Sequence, residues 1–217
     1  MKRILFSFVL LIFFFASMPA SAADPAYKWT GFYVGLQGSY DVGSSDWDFT
    51  DFDTHTDHTL TGGMGGLYAG YNYQFPFNLV IGIETDISGG KITGSSSCPN
   101  GSYSCDTDMN WIGSTRGRVG YAIDRFLPYI GVGVAYTSAY LHADTVATGT
   151  EFTSTRNSYF GWTPSIGVEF VIVKNLIVRA EYEYYYFFTR SVQFDDGENV
   201  DSKVKLHAFK LGLSWKF

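Results

Sequence analysis

Apolar and polar residues alternate along the last segment of the chain. The large apolar positions are Phe209, Leu211, Leu213, Trp215 and Phe217, and the residues between them are small or charged. A period of two predicts a β-strand with one apolar face. About ten residues is also the length that a tilted strand needs to cross a bilayer.

The same period recurs in eight segments of the chain. They are Gly31–Asp41, Gly63–Phe75, Leu79–Ser88, Met109–Ala122, Pro128–Ser138, Tyr159–Val171, Leu176–Phe187 and Val204–Phe217. Three connections are short, whereas those over residues 42–62, 89–108, 139–158 and 188–203 are long. This pattern predicts an all-β, eight-stranded antiparallel up-and-down transmembrane β-barrel with short periplasmic turns and four long extracellular loops. Because the strand number is even, both mature termini are expected in the periplasm.

The charged positions indicate which face of these strands points inward. One set of alternating positions is apolar, and the opposite set carries paired charges. An eight-stranded interior has room only for side chains in contact, and lipid does not accept unpaired charges, so we predict that the apolar set faces lipid. The predicted interior charge network consists of Glu84, Asp86, Arg116, Arg118, Glu169, Arg179, Glu181, Glu183 and Lys210, with Lys216 as a further candidate. Filling the barrel is the simplest role for this network, and an ion path is the alternative.

The first residues of the chain resemble an export signal. Lys2 and Arg3 precede an apolar run over residues 4–16, and the small residues Ala20-Ser21-Ala22 follow. The run is shorter than the roughly 20 residues of a membrane span, which predicts a cleaved signal peptide over residues 1–22. Residues 23–217 then form one outer-membrane β-barrel domain.

Charge and hydropathy narrow the class of protein further. Removing Lys2 and Arg3 from the 15 basic residues leaves 13 against 21 acidic residues, a net charge of −8. An acidic chain of this kind is not expected to present the basic surface patch that binds nucleic acid. No later stretch approaches about 18 uninterrupted apolar residues, which excludes helical membrane spans.

The two cysteines, Cys98 and Cys105, lie in a segment rich in glycine, serine and asparagine. Because disulfides persist in exported proteins, we predict a local disulfide between them. In the chain-entropy model, a disulfide across so short a loop stabilises the folded state by at most roughly 2–3 kcal/mol. It would hold this one loop in place but would not organise the fold. Zinc-site spacing is absent around the pair, so we predict no metal site there.

The first long connection is acidic and contains two histidines, His55 and His58. With Asp41 at the end of the preceding strand, its acids are Asp41, Asp46, Asp48, Asp51, Asp53 and Asp57. A solvated surface loop is the simplest interpretation. Either histidine could instead be an axial ligand of heme, although the acids oppose binding of the anionic propionates. A calcium loop is disfavoured because the glycine and terminal glutamate of an EF-hand are missing. We predict no required cofactor, with heme as the candidate.

The densest aromatic tract, Tyr182–Phe188, is predicted to form a girdle at the membrane interface. His207 shares the parity of the lipid-facing positions. No serine adjoins this histidine, as a nucleophilic hydrolase would require, and the Asp–His pairs of the first long connection lie in what reads as a loop. We therefore predict that the protein is not an enzyme.

Several blocks of sequence carry a family resemblance along nearly the whole mature chain. They are Trp29–Gly35, Gly82–Asp86, Arg116–Tyr121, Gly161–Thr163 with Gly167–Glu169, and Val178–Tyr182. Together they resemble the alphaproteobacterial outer-membrane immunogenic proteins, a RopB-like β-barrel family that includes hemin-binding surface proteins. The resemblance implies an abundant surface barrel recognised by host antibodies. Some relatives bind hemin or host-cell components, and others are assigned only a role in envelope integrity.

These features together predict a non-enzymatic surface barrel in the cell outer membrane that contributes to envelope structure and to host or ligand contact. A hemin-binding surface receptor is the alternative, and a small pore is the lesser alternative. The expected partners are outer-membrane lipid and the barrel assembly machinery, which would recognise Phe217 as an assembly signal. Hemin and host surface components are the candidate ligands.

Overall fold

The computed structural model describes residues 27–49, 54–97, 103–145, 151–193 and 199–217. Its strands are β1 (Gly31–Phe49), β2 (Thr54–Gln74), β3 (Leu79–Ser97), β4 (Tyr103–Tyr121), β5 (Phe126–Thr145), β6 (Glu151–Val173), β7 (Leu176–Phe187), β8 (Arg190–Gln193) and β9 (Asn199–Lys216). Within these ranges, no helix has the length and apolar character needed to cross a membrane.

Eight of the strands close into a barrel. β1 to β7 pair antiparallel in chain order, and β7 pairs with β9. The barrel closes because β9 also pairs with β1, from Tyr33 opposite Lys216 to Phe49 opposite Val200. Within the described residues, the four-residue strand β8 pairs with β9 and with no other strand. This confirms the predicted eight-stranded antiparallel barrel.

The strands extend far into the segments that were predicted as long loops. β1 continues to Phe49 and β2 begins at Thr54, so most of residues 42–62 is paired strand. The prediction of four long loops was therefore wrong in their extent. Outward positions such as Thr59 and Thr61 are polar, whereas Leu60 between them is buried. Alternation persists here, but with water in place of lipid outside it no longer shows as an apolar face.

The short turns keep their predicted places. Asn78 and Asp124 have φ angles of 64° and 52°, in the left-handed region that asparagine and aspartate tolerate best after glycine. The Phe75 N–H donates to the Leu79 carbonyl at 2.8 Å, which closes the first turn. We call the end of the barrel that carries these turns and both described termini the turn end. The opposite end is the hairpin end.

At the hairpin end the barrel divides into two four-stranded sheets. Pairing of β2 with β3 stops at Thr61 opposite Thr93, and pairing of β6 with β7 stops at Gly161 opposite Phe187. One sheet then consists of β8, β9, β1 and β2, and the other of β3 to β6. The buried hydroxyls of Ser45 on β1 and Thr107 on β4 lie 3.4 Å apart and join the two sheets across the interior.

The outer wall is apolar, as the alternating pattern predicted. Exposed apolar side chains occur at every second position of the strands, for example at Phe32, Val34 and Leu36 on β1. The intervening positions point into the barrel. The charged residues of the strands are therefore concentrated in the interior, where the candidate functional site lies.

Candidate functional site

All nine predicted network residues meet in the middle of the barrel interior, and each is buried. Arg116 is their centre, because its guanidinium contacts four carboxylates. One nitrogen, Nη2, lies 2.9 Å from Glu84 and 3.2 Å from Asp86. The other, Nη1, lies 3.0 Å from both Glu181 and Glu183. A buried guanidinium has a fixed fork of donors, so this arrangement sets the positions of all four acids.

Two further arginines extend the network toward the turn end. Arg118 contacts Glu84 at 2.9 Å and Glu169 at 2.8 Å. Arg179 contacts Glu84 at 2.7 Å, so this one carboxylate bridges three arginines. The guanidinium of Arg118 also stacks 3.9 Å from the ring centre of Tyr129. Such shared pairing offsets the desolvation that each buried charge would otherwise suffer.

Lys210 completes the network from the last strand. Its ammonium lies 2.6 Å from Glu183 and 3.3 Å from Asp86. Ser114 donates a short hydrogen bond to Asp86. Asp41, also buried, accepts a hydrogen bond of 2.7 Å from the Ser39 hydroxyl. The interior therefore holds slightly more acidic than basic groups.

Two tyrosines that sequence reasoning missed also donate hydrogen bonds to carboxylates of the network. The Tyr33 hydroxyl donates to Glu84 at 2.8 Å, and the Tyr129 hydroxyl donates to Glu181 at 2.6 Å. Both tyrosines lie at inward positions, between the exposed apolar residues of their strands, and this alternation is the signal that could have identified them. At Gly35 an added Cβ would overlap the ring of Tyr68, so glycine is needed there for close packing.

An apolar cluster fills the interior between the charges and the hairpin end. We call it the hairpin-end cluster. Its members are Leu60, Met64, Ile92, Met109, Ile112, Ala135, Ala139, Tyr159, Tyr185, Phe187, Val204, Leu206 and Ala208. The sequence prediction assigned only charges to the interior, and this cluster was missed. Except at Met109, its members continue the inward parity of their strands, so following each inward row toward the hairpin end would have found most of the cluster. At Met109 a register irregularity of β4 breaks the parity.

The aromatic tract Tyr182–Phe188 is divided between the two faces of β7. Tyr185 and Phe187 are buried inside, so the prediction that the whole tract forms an outer girdle was wrong for these residues. The parity of the strand applies within an aromatic run as it does elsewhere. On the outer face, the Tyr182 hydroxyl lies 2.7 Å from Nδ1 of exposed His207, which confirms the parity predicted for this histidine.

A second apolar cluster closes the interior at the turn end. We call it the turn-end cluster, and it consists of Trp29, Val80, Ala122, Leu127, Val171 and Ile177. Trp29 belongs to a segment before β1, Tyr27–Thr30, which we call the N-terminal strap. Its indole N–H donates to the Asp124 carbonyl at 3.1 Å, and its backbone N–H donates to Gln74 at 2.8 Å. These bonds hold the indole ring inside the barrel mouth.

Lys216 holds the strap to the last strand. Its ammonium donates to the carbonyls of Lys28 at 2.7 Å and Thr30 at 3.0 Å, and it lies 5.0 Å from the ring centre of Tyr27. This differs from the suggestion that Lys216 joins the interior charges. These contacts hold the N-terminal strap against β9. Burial, with a smaller contribution from the Glu169 carboxylate, raises the pKa of Tyr27 to about 12.

The remaining predicted site residues are not brought to the network. His55 and His58 lie in β2, opposite Asp48 and Ser45 of β1, and not in a loop. Cys105 lies in β4, whereas Cys98 falls outside the described residues, so the disulfide stays a prediction. The described part of the chain contains no group of three or more His, Cys, Asp or Glu residues arranged to hold a metal ion.

Phe217 lies on the outer wall at the turn end, where its side chain is 73% exposed. Its backbone N–H donates to the Phe32 carbonyl at 2.9 Å, the outermost hydrogen bond of the seam between β9 and β1. Its aromatic ring thus stands where lipid would surround it.

An apolar outer wall, a charged interior and a closed ring of antiparallel strands define a transmembrane β-barrel of the outer-membrane type. Residues 7–217 match the family described as outer membrane protein beta-barrel domain. The chain belongs to this family of outer-membrane proteins.

Its relatives agree with the resemblance drawn from the sequence blocks. The chain is 33% identical to the 31 kDa outer-membrane immunogenic protein of Brucella melitensis, over 93% of this chain and 89% of that protein. It is 32% identical to the 22 kDa outer membrane protein of Rhizobium leguminosarum, over 89% of this chain and 80% of that protein. The outer membrane protein OprG from Pseudomonas aeruginosa shares the fold, with a TM-score of 0.58 at 12% identity over 89% of this chain and 100% of OprG.

Proposed function

We propose that this protein is a sealed, non-enzymatic outer-membrane barrel that contributes to envelope structure and presents its hairpin end for contact at the cell surface. The filled interior carries this proposal. The turn-end cluster, the charge network and the hairpin-end cluster follow one another along the barrel, and all three consist of buried side chains. Such an interior supports a structural role in place of conduction.

We also propose that the turn end faces the periplasm and the hairpin end faces the outside. Barrels of this class have short turns on the periplasmic side and longer extracellular connections. Here the strands joined by short turns end beside both described termini, and the long hairpins project from the other end. The immunogenic relative in Brucella supports surface exposure of such hairpins.

The orientation is tested by inserting an epitope tag between β5 and β6, within residues 146–150, and in a separate variant between Lys174 and Asn175. We expect antibody to label the first variant on intact cells and the second only after the outer membrane is permeabilised. Labelling of the Lys174 variant on intact cells would overturn the proposed orientation. Heat-modifiable migration on a gel shows that each variant has folded.

A further inference from the structure

Among the described residues, the two sheets of the hairpin end leave strand edges that pair on one side only. Beyond Thr61, residues 54–60 of β2 pair with β1 on one side but not with β3 on the other. Residues 94–97 of β3 likewise pair with β4 but not with β2. We call the gap between these two edges the β2–β3 slot. At the second split the short strand β8 lies near β6, whereas the described residues place no such strand in the β2–β3 slot.

The β2 edge of this slot carries neither proline nor lysine, two residues that protect a strand edge from pairing, whereas β3 has a bulge just before its edge. Natural sheets guard an edge with proline, lysine, a bulge or a covering segment. Residues 54–60 of β2 read THTDHTL, without proline or lysine. β3 has a register irregularity relative to β4 between Gly89 and Ile92, just before the slot begins. Bulges of this kind redirect a strand and are frequent next to functional sites.

A polar recess of about 510 Å³ lies at the slot. That volume falls within the range of roughly 300–1,000 Å³ that is typical of ligand sites. Thr59 and Thr61 contribute from β2, Thr93 from β3, and Asp106 and Asp108 from β4. Lys91 adds a cation to these hydroxyls and carboxylates. A surface that offers both signs of charge and no large apolar side chain does not suit an acyl chain.

We propose that the β2–β3 slot binds an extended peptide segment of a partner protein by strand addition. Within the described residues, the slot leaves backbone N–H and C=O groups in strand geometry without a strand partner, and another extended backbone matches them in spacing and direction. The threonine hydroxyls and the charges of Lys91, Asp106 and Asp108 would then contact polar side chains of the added strand. This proposal names the partner class for the contact surface proposed above and rests on it.

The test uses the refolded full barrel and a fluorescein-labelled peptide of alternating threonine and lysine, about as long as a strand. A second peptide has the same side chains but N-methyl groups at alternate backbone positions along one edge, so it cannot donate hydrogen bonds there. We expect fluorescence polarisation to show binding of the first peptide that is at least about tenfold tighter than binding of the second. Attraction of lysine to an acidic protein alone would give equal affinities.

A disulfide staple locates the site. If pairing continued two residues beyond Thr61 and Thr93, Thr59 would face Ser95. In a Cys98→Ser/Cys105→Ser background, Thr59→Cys/Ser95→Cys is expected to close the slot and weaken binding at least about tenfold, with recovery after reduction. The matched control, Ser44→Cys/Thr59→Cys, staples an existing pair of β1 and β2 and leaves the slot open, so binding should persist.

Amide exchange provides a readout without any substitution. Binding is expected to slow exchange of the amides within residues 54–60, because an added strand covers that edge. Absence of binding, equal affinity of the N-methylated peptide, or equal binding by both stapled proteins would each overturn the proposal. The proposed surface role would survive these results, since epitope labelling on intact cells tests it separately.

Discussion

At the scale of single residues, the interior depends on shared partners more than on separate ion pairs. Arg116 contacts four carboxylates, and Glu84 contacts three arginines. Removing one side chain therefore leaves several buried groups short of a partner, which is far costlier than losing an exposed pair. The parity of the strands allowed all nine residues to be assigned to the interior. Which acid pairs with which base depends on strand register and could not be deduced from parity.

The substitution Arg116→Met is predicted to lower the free energy of unfolding by about 3–5 kcal/mol, because four carboxylates lose their common cation. Urea titration of the refolded barrel in micelles measures this change. Lys174→Met, at an exposed turn position, is the control and should change stability by no more than about 0.5 kcal/mol. Adding Glu183→Gln to Arg116→Met should recover part of the loss. Equal stability of the Arg116 and Lys174 variants would contradict the role of Arg116.

Hemin titration tests His55 and His58 as axial ligands. Ligation by either residue predicts a shifted Soret band when hemin is added to the refolded barrel, and predicts that His55→Ala/His58→Ala abolishes this shift. The single variants assign the ligand. Identical titrations of the parent and the double variant would remove both histidines from any account of heme binding.

At the scale of strands and segments, sequence reasoning succeeded where lipid enforces an apolar face and lost precision where water replaces it. The spans of β7 and of the three short turns were close to those observed because Leu176–Phe187 lies between clear signals at both ends. The outer parts of β1 and β2 were missed because Ser, Thr and Asp occupy their outward positions. The N-terminal strap has no periodic pattern at all. Trp29 finds its place only through contacts with residues distant in sequence, such as Gln74 and Asp124.

Trp29→Ala is predicted to destabilise the barrel by about 3–5 kcal/mol, since it removes a fully buried indole from the turn-end cluster. Thermal unfolding followed by loss of heat-modifiable migration measures the effect. Phe77→Ala removes an exposed aromatic ring at the same end of the barrel and should have a clearly smaller effect. Similar losses in the two variants would mean that the strap does not support the fold.

Deletion of Phe217 is predicted to impair insertion into the outer membrane, because it removes both the final hydrogen bond to Phe32 and the aromatic terminal side chain. The fraction of heat-modifiable protein in isolated outer membranes measures insertion. Phe217→Tyr keeps an aromatic ring and the backbone bond, and should insert normally. Full insertion of the deletion variant would refute the role of Phe217 as an assembly signal.

At the scale of the whole molecule, the sealed interior and the divided hairpin end both follow from how far the eight strands remain paired around the ring. Where all eight strands pair around the ring, the side chains inside fill the space. Where the ring divides, backbone edges become available. The fold class followed from the number and alternation of the strands. The division of the ring depends on where the pairing of β2 with β3 and of β6 with β7 stops. The sequence of one strand alone does not determine these positions.

The sealed interior predicts no steady conductance for the refolded protein in planar bilayers. The reason is that two apolar clusters and a paired charge network occupy the path. Single-channel recording measures this, with brief openings or none as the expected result. Long-lived openings of constant size would contradict the sealed interior and would favour a small pore.

The seam between β1 and β9 joins residues more than 150 positions apart, such as Phe49 and Val200. The ribosome makes β1 long before β9, so the ring cannot close until β9 has been made and has reached β1. Until then Lys210 has not reached Asp86 and Glu183, and an open sheet would expose these charges to lipid. Insertion into the bilayer is therefore coupled to closure of the barrel. A chain that terminates before β9 lacks the strand that closes the barrel and should not insert stably.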